Sequence, residues 1–343
     1  MENQHRSAAP MREAMSRRFH RHASATGKIV LPAVPSMIDE HVAMCGNIFA
    51  DVGRAFTEDE LAHLRKLLLQ QLTEAFSKSP RSSIVVSYTS PVASVLNYEI
   101  NINWLTLEQA YENWLNTRQP PLFGTEPDAR VWALAAEAAD PGSHPVLDIG
   151  AGTGRNTLAL ARRGHPVDAV ELTPKFAEQI TEEAGREALP VRVIQGDVFA
   201  STGDLRDDYR LILLSEVVSD FRSLQQVRGM FELAAKSLTS GGQLVFNIFL
   251  AKPYYTPDGA ARELGLQFYT SIFTDAELSM AADELPLTLV SDDSVHEYEQ
   301  ANLPDGAWPP TSWYSQWVSG QDVFDLQRED CPIEMRWRVY RKT

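Results

Sequence analysis

The fold of this chain is decided by the stretch Val146-Leu147-Asp148-Ile149-Gly150-Ala151-Gly152-Thr153-Gly154-Arg155-Asn156. The apolar run at 145–149 predicts a buried strand, and the pattern at 157–163 predicts a helix. Between them, three glycines stand at alternate positions. A strand, a glycine turn and a helix in this order bring a nucleotide close to bare backbone, where a side chain would block the ligand or the turn. The stretch therefore predicts a nucleotide-binding turn.

Two nucleotide-binding motifs compete for this turn. A dinucleotide fingerprint requires glycine or alanine at the sixth position, which is Arg155 when counted from Gly150. The turn is instead G-x-G-x-G, and Asp148 precedes its first glycine by two residues. A carboxylate there would repel a pyrophosphate but suits a ligand with a cationic amino or sulfonium group. Glu171 ends the next predicted strand, where an acid accepts both ribose hydroxyls. These residues disfavour a nicotinamide oxidoreductase, and a glycine turn without any ligand remains the other alternative.

Composition narrows the possible partners and location. The formal charge of −15 over 343 residues argues against nucleic-acid binding and fits an anionic membrane poorly. No apolar run approaches the roughly 18 residues that a bilayer span needs. The two cysteines, Cys45 and Cys331, are far apart and belong to no Cys/His cluster, so no metal site is predicted. We expect a cytoplasmic, thiol-reduced protein, monomeric or homodimeric, with no nucleic-acid or membrane partner.

The chain before residue 126 divides into two predicted parts. Residues 1–35 read as a disordered basic tail, of which 1–28 should be dispensable for both melting temperature and turnover. An organelle transit peptide is the alternative for this Arg-rich start. Residues 36–125 read as a cover subdomain of helices plus a β-hairpin at 83–103, with a capping box at 57–60 and a last helix at 105–115. This cover is expected to pack on a nucleotide-binding domain.

From residue 126 to 343, strands and helices alternate. This order predicts an α/β fold, a doubly wound seven-stranded mostly parallel sheet with helices on both faces. Ligands bind such sheets at the carboxyl ends of the strands, where the glycine turn, Glu171, Asp197 and Glu216 all fall. The predicted strands are 145–149, 166–171, 191–195, 209–214, 243–250, 287–290 and 332–340.

In their order and spacing, these segments resemble the class I S-adenosylmethionine-dependent methyltransferases of the small-molecule type. The glycine turn resembles motif I, 196–199 resembles motif II, and 213–218 resembles motif IV. The turn at 238–244 resembles the one before the fifth strand of the family, although Ser240 replaces its usual proline. The resemblance covers 126–343 and implies S-adenosyl-L-methionine as cofactor, with S-adenosyl-L-homocysteine as product. A catalytically degenerate protein that binds the cofactor as a partner or regulatory module is the alternative.

The resemblance also implies a set of cofactor contacts. Asp197 would meet the adenine amino group, Glu171 the ribose, and Tyr111 and Arg118 of the cover helix the methionine end. For Asp197, a simple turn role stays open, and Tyr111 and Arg118 could merely pack the helix. The full implied set is Asp148, Gly150, Ala151, Gly152, Gly154, Arg155, Asn156, Glu171, Leu172, Asp197, Val198, Ser215, Glu216, Tyr111 and Arg118.

The methyl acceptor is the least defined partner. Motif IV lacks the N/D-P-P-Y pattern of enzymes that methylate amide or adenine nitrogens, which leaves O-, N- or C-methylation of a small molecule. A long aromatic insertion at 291–331 should help to roof the acceptor pocket, whose floor would be Ser215 and Glu216. We predict Glu216 and His296 as catalytic groups, with His296 as a general base; a histidine that only packs is the alternative. The predicted acceptor contacts are Trp114, Tyr254, Tyr298 and Trp313.

Overall fold

The computed structural model describes residues 8–22, 24–92, 95–201 and 203–343, without the side chains of 20–22 and 92. The chain forms two compact units, Met1–Leu107 and Glu108–Thr343. The sequence placed this boundary after residue 125 instead. The helix at Leu107–Thr117 extends into the second unit because its aromatic side chains pack there, with Trp114 against Tyr269 and Trp313.

The first unit is a three-stranded antiparallel sheet with helices. Its sheet has the order β1-β2-β3, which confirms the predicted hairpin and adds a third strand. One apolar core joins Leu64, Leu68 and Leu72 of α3 to Ile84 and Val86 of β2. The elements are α1 (Ala9–His22), β1 (Ala25–Pro32), α2 (Ile38–Asp51), α3 (Glu58–Lys78), β2 (Ser83–Val92) and β3 (Val95–Asn103).

The structure differs from the predicted disordered tail over 1–35. Strand β1 pairs with β2 along its whole length, from Ala25 opposite Ser90 to Pro32 opposite Ser83. Ile29 and Leu31 are buried in the core of this unit, which the basic composition of the preceding residues concealed. Truncation before Ile29 would cut this strand in half, so we no longer expect it to be harmless. Residues 1–7 and 23 lie outside the described residues.

The second unit is built around a large twisted sheet. It begins with α4 (Leu107–Thr117) and α5 (Ala129–Ala135), which precede the first strand of the sheet. The remaining elements are β4 (Val146–Ile149), α6 (Arg155–Arg162), β5 (Val167–Glu171), α7 (Pro174–Arg186), β6 (Val191–Gln195), β7 (Tyr209–Leu214), α8 (Leu224–Ser237), β8 (Leu238–Ala251), α9 (Gly259–Gln267), β9 (Ile272–Phe273), α10 (Asp275–Ala282), β10 (Leu287–Ser294), α11 (Val295–Asn302), α12 (Tyr314–Val318), α13 (Gln321–Phe324) and β11 (Ile333–Lys342).

The strand order of the second unit is β10-β11-β8-β7-β4-β5-β6, and the two-residue β9 pairs with β8. Strand β11 runs antiparallel to its neighbours β10 and β8, and the other pairs are parallel. The predicted doubly wound, seven-stranded, mostly parallel sheet is therefore confirmed, and only β9 is additional. The order reverses between β4 and β7, and a crevice for ligands forms at such a point. Among the described residues, no helix is both long and apolar enough to cross a bilayer.

The aromatic insertion is a structured part of the core. It was expected to be a long loop at 291–331, but β10 continues to Ser294 and three short helices follow. Ser294 is the N-cap of α11, and its Oγ accepts from the Glu297 amide at 3.5 Å. Tyr314 and Trp317 are buried on one face of the sheet, in a cluster that includes Trp337 of β11. The aromatic side chains of the insertion therefore contribute to the core of the second unit, whatever part they have in a ligand site.

Candidate ligand-binding and catalytic site

Three left-handed glycines shape the turn after β4. Gly150, Gly152 and Gly154 have φ angles of +69°, +56° and +86°, which side-chain-bearing residues rarely adopt. A β-carbon on Gly150 would lie 2.4 Å from Cγ2 of Val217, and one on Gly152 would meet the ring of Phe123 at 3.7 Å. The turn therefore needs glycine for its backbone conformation and, at Gly150, for space.

Two buried acids bracket this turn. Asp148 on β4 accepts a hydrogen bond from Thr157 Oγ1 at 2.6 Å, and its burial raises the pKa to about 7. Glu171, at the end of β5, accepts from the backbone amides of Gly152 and Thr173, each at 2.7 Å. Burial also raises the pKa of Glu171. Because a carboxylate offers about four acceptor positions, these bonds leave Glu171 capacity for a ligand hydroxyl.

An ion-pair network lies beside the turn, at the start of α6. Arg155 donates to Asp128 Oδ1 at 2.6 Å and to Glu216 Oε1 at 3.0 Å. Asn156 donates to Asp128 Oδ2 at 2.8 Å and accepts from the Asp128 amide at 2.9 Å. The side chains of Arg155 and Asp128 are 7% and 1% exposed, so this network is shielded from water. Asp128 was not predicted, because its position before α5 looks like an ordinary helix start.

Glu216 occupies an unusual backbone position at the end of β7. Its φ is +62°, a left-handed conformation that costs a non-glycine residue about 1–3 kcal/mol and is found most often at functional sites. Its amide donates to Oδ1 of Asn247 on β8 at 2.7 Å. Burial raises the pKa of the Glu216 carboxyl, and Arg155 opposes that rise. Glu216 thus combines a left-handed backbone, burial and an ion pair, and its functional role stays a prediction.

Glu299 and Tyr314 bring the insertion to the same network. Glu299 of α11 accepts from the amides of Ala129 and Arg130 at 2.7 and 3.1 Å, and from Trp337 Nε1 at 2.9 Å. Tyr314 is 1% exposed, and Asp128, Glu216, Glu299 and Arg155 all act on its hydroxyl electrostatically. Neither residue was predicted as part of the site, since 170 positions separate Glu299 from Ala129 and no local pattern connects them.

A group of six side chains, here called the aromatic wall, stands over the glycine turn. Trp114 is its centre, with ring centroids 5.1 Å from Tyr269, 6.2 Å from Phe123 and 6.2 Å from Trp313. Phe123 contacts the position above Gly152, as described. The members are Tyr111, Trp114, Phe123, Phe176, Tyr269 and Trp313.

The structure places two further predicted cofactor contacts near the wall. Tyr111 donates from its hydroxyl to Asp220 Oδ2 at 2.7 Å. The guanidinium of Arg118 lies over the ring of Trp114, with its central carbon 3.8 Å from the centroid.

Asp197 follows β6 and is exposed, and its Oδ1 accepts a hydrogen bond from the Phe199 amide at 2.9 Å. The neighbouring Val198 is buried, and Leu172, after β5, is exposed. The turn role that the sequence left open for Asp197 is therefore present, and it leaves the second carboxylate oxygen for a ligand.

Other predicted catalytic and acceptor residues lie elsewhere. His296 hydrogen bonds through Nε2 to Ser315 Oγ at 3.1 Å and packs edge-on against Trp308, and burial lowers its pKa. These contacts match the alternative of a packed histidine. Tyr254 is 71% exposed, and its hydroxyl donates to the carbonyl of Cys331 at 3.4 Å, because the chain leaves the sheet after β8. Tyr298 packs under the guanidinium of Arg130 at 4.8 Å.

Comparison with known proteins shows which family the sheet and its glycine turn resemble. Residues 146–242 match a family model described as a methyltransferase domain. These residues therefore form a methyltransferase domain. The matched segment of this methyltransferase domain begins at β4 and contains the glycine turn, Glu171 and Glu216. The predicted methyltransferase family is thereby confirmed over this segment.

Two solved structures share the fold of the methyltransferase domain. Both are geranyl diphosphate C-methyltransferase from Streptomyces coelicolor A3(2), in complexes with Mg²⁺, S-adenosyl-L-homocysteine and either geranyl diphosphate or geranyl-S-thiolodiphosphate. The TM-scores are 0.51 and 0.52 at 14% and 15% identity, over 69% of this chain and 97% and 98% of those chains.

A curated relative matches a shorter part of the chain. Hemagglutinin 1 of Eikenella corrodens is 37% identical over 72 residues, which are 21% of this chain and 23% of that protein. The match therefore spans less than a quarter of the relative's length.

Proposed function

We propose that this protein transfers the methyl group of S-adenosylmethionine to an oxygen, nitrogen or carbon atom of a small molecule. The observation that carries this proposal is the glycine turn between the buried carboxyls of Asp148 and Glu171. Such a turn presents bare backbone to a nucleoside, and the carboxyls suit hydroxyl, ammonium and sulfonium groups better than phosphate. S-adenosylmethionine carries all three groups and no phosphate. Methyl transfer then needs alignment and exclusion of water, which the buried crevice and the aromatic wall would supply.

In the proposed enzyme, one group of residues would bind the cofactor and another would bind the methyl acceptor. Glu171 would accept the ribose hydroxyls, and Asp197 and Val198 would hold the adenine. The backbone of Gly150, Ala151, Gly152 and Gly154 would face the cofactor, and Asp148, Arg155, Asn156 and Ser215 would complete its surroundings. Trp114 and Trp313 would bound the acceptor, next to Glu216. We no longer propose Tyr254 as an acceptor contact, because it lies on the surface. A cytoplasmic location and a monomeric or homodimeric state stay predictions.

Removal of the Glu171 carboxylate should weaken cofactor binding. We expect Glu171→Ala to raise the Kd for S-adenosylhomocysteine by about 10- to 150-fold, the scale of hydrogen bonds to a charged group. Isothermal titration calorimetry measures this change directly. Glu187→Ala is the matched control, because Glu187 is a carboxylate on the surface that pairs with Arg162. An unchanged Kd for Glu171→Ala, with the variant folded, would remove Glu171 from the ribose role.

The affinity for S-adenosylmethionine should depend on pH. Asp148 has a pKa of about 7, and burial raises the pKa of Glu216, so protonation of either carboxyl removes negative charge near the ligand. A cationic ligand binds the ionised form better, and binding therefore releases protons below pH 7. We expect the Kd to fall by up to about tenfold per pH unit between pH 6 and 7 and to level off above pH 8. Calorimetry in buffers of different ionisation enthalpy would detect the released protons, and a Kd that rises with pH would contradict the expectation.

A further inference from the structure

The crevice holds more negative than positive charge. Asp128, Glu216 and Glu299 are three carboxyls that converge on one buried network, and Arg155 pairs with the first two. The guanidinium of Arg130 is turned away from them, toward Ser291 and toward Asp293 at 3.1 Å. Burial raises the pKa of both Glu216 and Glu299. A buried surplus of carboxylates is costly unless a cation compensates it.

A buried hydroxyl without a partner among the described residues lies under the influence of these carboxyls. The Tyr314 hydroxyl is buried and has no hydrogen-bond partner among the described residues, although Asp128, Glu216 and Glu299 lie around it. Buried polar groups almost always have partners, so an unpartnered one calls for a ligand or an ordered water. Tyr314 remains protonated, since its surroundings raise its pKa well above the usual value. Its oxygen can accept a hydrogen bond from an N–H group, and its O–H can donate to a carboxylate.

Two more unpartnered groups lie next to Glu216. The side-chain nitrogen of Asn247 and the hydroxyl of Ser215 are buried, and neither has a partner in the described part of the chain. Asn247 is fixed by its other amide atom, whose oxygen accepts from the Glu216 backbone. Two unpaired polar groups therefore lie near Glu216, one directly after β7 and one on the neighbouring part of β8.

Aromatic rings continue from this polar cluster to the crevice. The rings of Tyr314 and Trp313 are 5.9 Å apart, and Trp313 is 6.2 Å from Trp114 of the aromatic wall. Trp and Tyr faces attract cations through their negative ring faces. An ammonium ion is recognised by carboxylates, a phenol and Trp ring faces together. The same carboxylates would repel a ligand that carries a phosphate or a carboxylate.

We propose that the methyl acceptor is an amine, whose nitrogen is held between the Glu216 carboxylate, the Tyr314 hydroxyl and the aromatic wall. This inference rests on the proposed function and narrows its acceptor class. The acceptor arrives as an ammonium ion and gives one proton to the Glu216 carboxylate. The freed nitrogen lone pair forms the new N–C bond to the methyl carbon as the C–S bond breaks. The electron pair of that bond stays on sulfur, so the sulfonium becomes the neutral thioether of S-adenosylhomocysteine, and the proton on Glu216 leaves to solvent.

Sinefungin tests this inference without knowledge of the acceptor. It is an analogue of the cofactor that carries a primary amine where the sulfonium methyl stands, so its ammonium enters the space next to the acceptor nitrogen. We expect sinefungin to bind the wild-type protein about tenfold or more tighter than S-adenosylhomocysteine at pH 7.5, as a charge-assisted hydrogen bond implies. Glu216→Gln should reduce this preference, the ratio of the two Kd values, to about twofold or less.

The outcomes separate this inference from the proposed function. Equal affinity for the two ligands in the wild type, or a preference that survives Glu216→Gln, would overturn the amine acceptor and leave the methyltransferase proposal intact. Failure of both ligands to bind the folded wild-type protein would overturn the proposed function itself. Each result is read from calorimetry on the full chain.

Tyr314→Phe provides a second test with a matched control. Because the Tyr314 hydroxyl has no partner within the described part of the chain, its removal should leave the melting temperature unchanged or higher and should lower the sinefungin preference by about threefold or more. Tyr209, at the amino end of β7, has another buried hydroxyl, which donates to Asp168 on β5. Tyr209→Phe should lower the melting temperature without changing the preference. A drop in melting temperature for Tyr314→Phe, with an unchanged preference, would show that Tyr314 only supports the fold.

Discussion

Replacement of Arg155 by methionine should lower the free energy of unfolding by about 3–5 kcal/mol. Arg155 is 7% exposed and donates to both Asp128 and Glu216, so the variant would leave two buried carboxylates without their counter-charge. Methionine keeps much of the side-chain length and apolar volume, which makes the lost charge the main change. Chemical denaturation of both proteins at pH 8 gives the difference in free energy directly.

The pH dependence of the Arg155→Met variant distinguishes lost charge from lost packing. Without the guanidinium, the folded-state pKa of Glu216 rises further above its unfolded value, so the folded protein binds more protons than the unfolded one. The destabilisation should therefore shrink as the pH falls from 8 to 5.5. Arg206→Met is the control, because Arg206 and its partner Asp208 are 41% and 52% exposed, and a surface pair contributes about 0–1 kcal/mol. A destabilisation that does not vary with pH would mean that packing dominates.

A methyl group on Gly150 should destabilise the fold almost as strongly. Two costs add in Gly150→Ala: the left-handed φ of +69° costs about 1–2 kcal/mol, and the overlap with Val217 costs about 1–3 kcal/mol. We expect a total loss of about 2–5 kcal/mol in the free energy of unfolding. The added β-carbon would lie 2.4 Å from Val217 Cγ2, so the turn must also shift, and S-adenosylhomocysteine should bind more weakly. Urea denaturation and calorimetry measure the two effects.

Alanine substitutions at two other glycines distinguish the backbone cost from the cost of steric overlap. Gly241 has a φ of +79° and open space around it, so Gly241→Ala should show the backbone cost alone, about 1–2 kcal/mol. Gly185 lies inside α7 with open space and ordinary backbone, and Gly185→Ala should stabilise the protein by about 0.5–1 kcal/mol. The double variant Gly150→Ala/Val217→Ala should recover part of the loss, because it removes the overlap. Equal effects at Gly150 and Gly241 would show that Val217 simply moves aside.

Patterns that are local in the chain determined the framework of this protein. The glycine turn at 150–154 needs only backbone geometry, and the apolar strands 146–149 and 209–214 need only burial on both faces of a sheet, so both are legible in the sequence. Because the carboxyl ends of parallel strands meet at one edge, the sequence alone places Glu171 and Glu216 at the same edge of the sheet. The position of Glu216 followed from topology, although its left-handed backbone did not.

Tertiary structure alone decided the contents of the crevice. Glu299 reaches the start of α5 across 170 residues. Tyr314 comes under the electrostatic influence of Glu216 because α12 packs on one face of the sheet. Strand β1 also depends on tertiary structure, because Ile29 and Leu31 lie in a strand that is hydrogen-bonded to the edge of β2. Hydrogen bonds, burial and charge compensation depend on distance in space, and neither composition nor periodicity records which remote segments become neighbours. The sequence by itself therefore determined the sheet and its glycine turn, and the packing of remote segments decided which charged groups gather beside that turn.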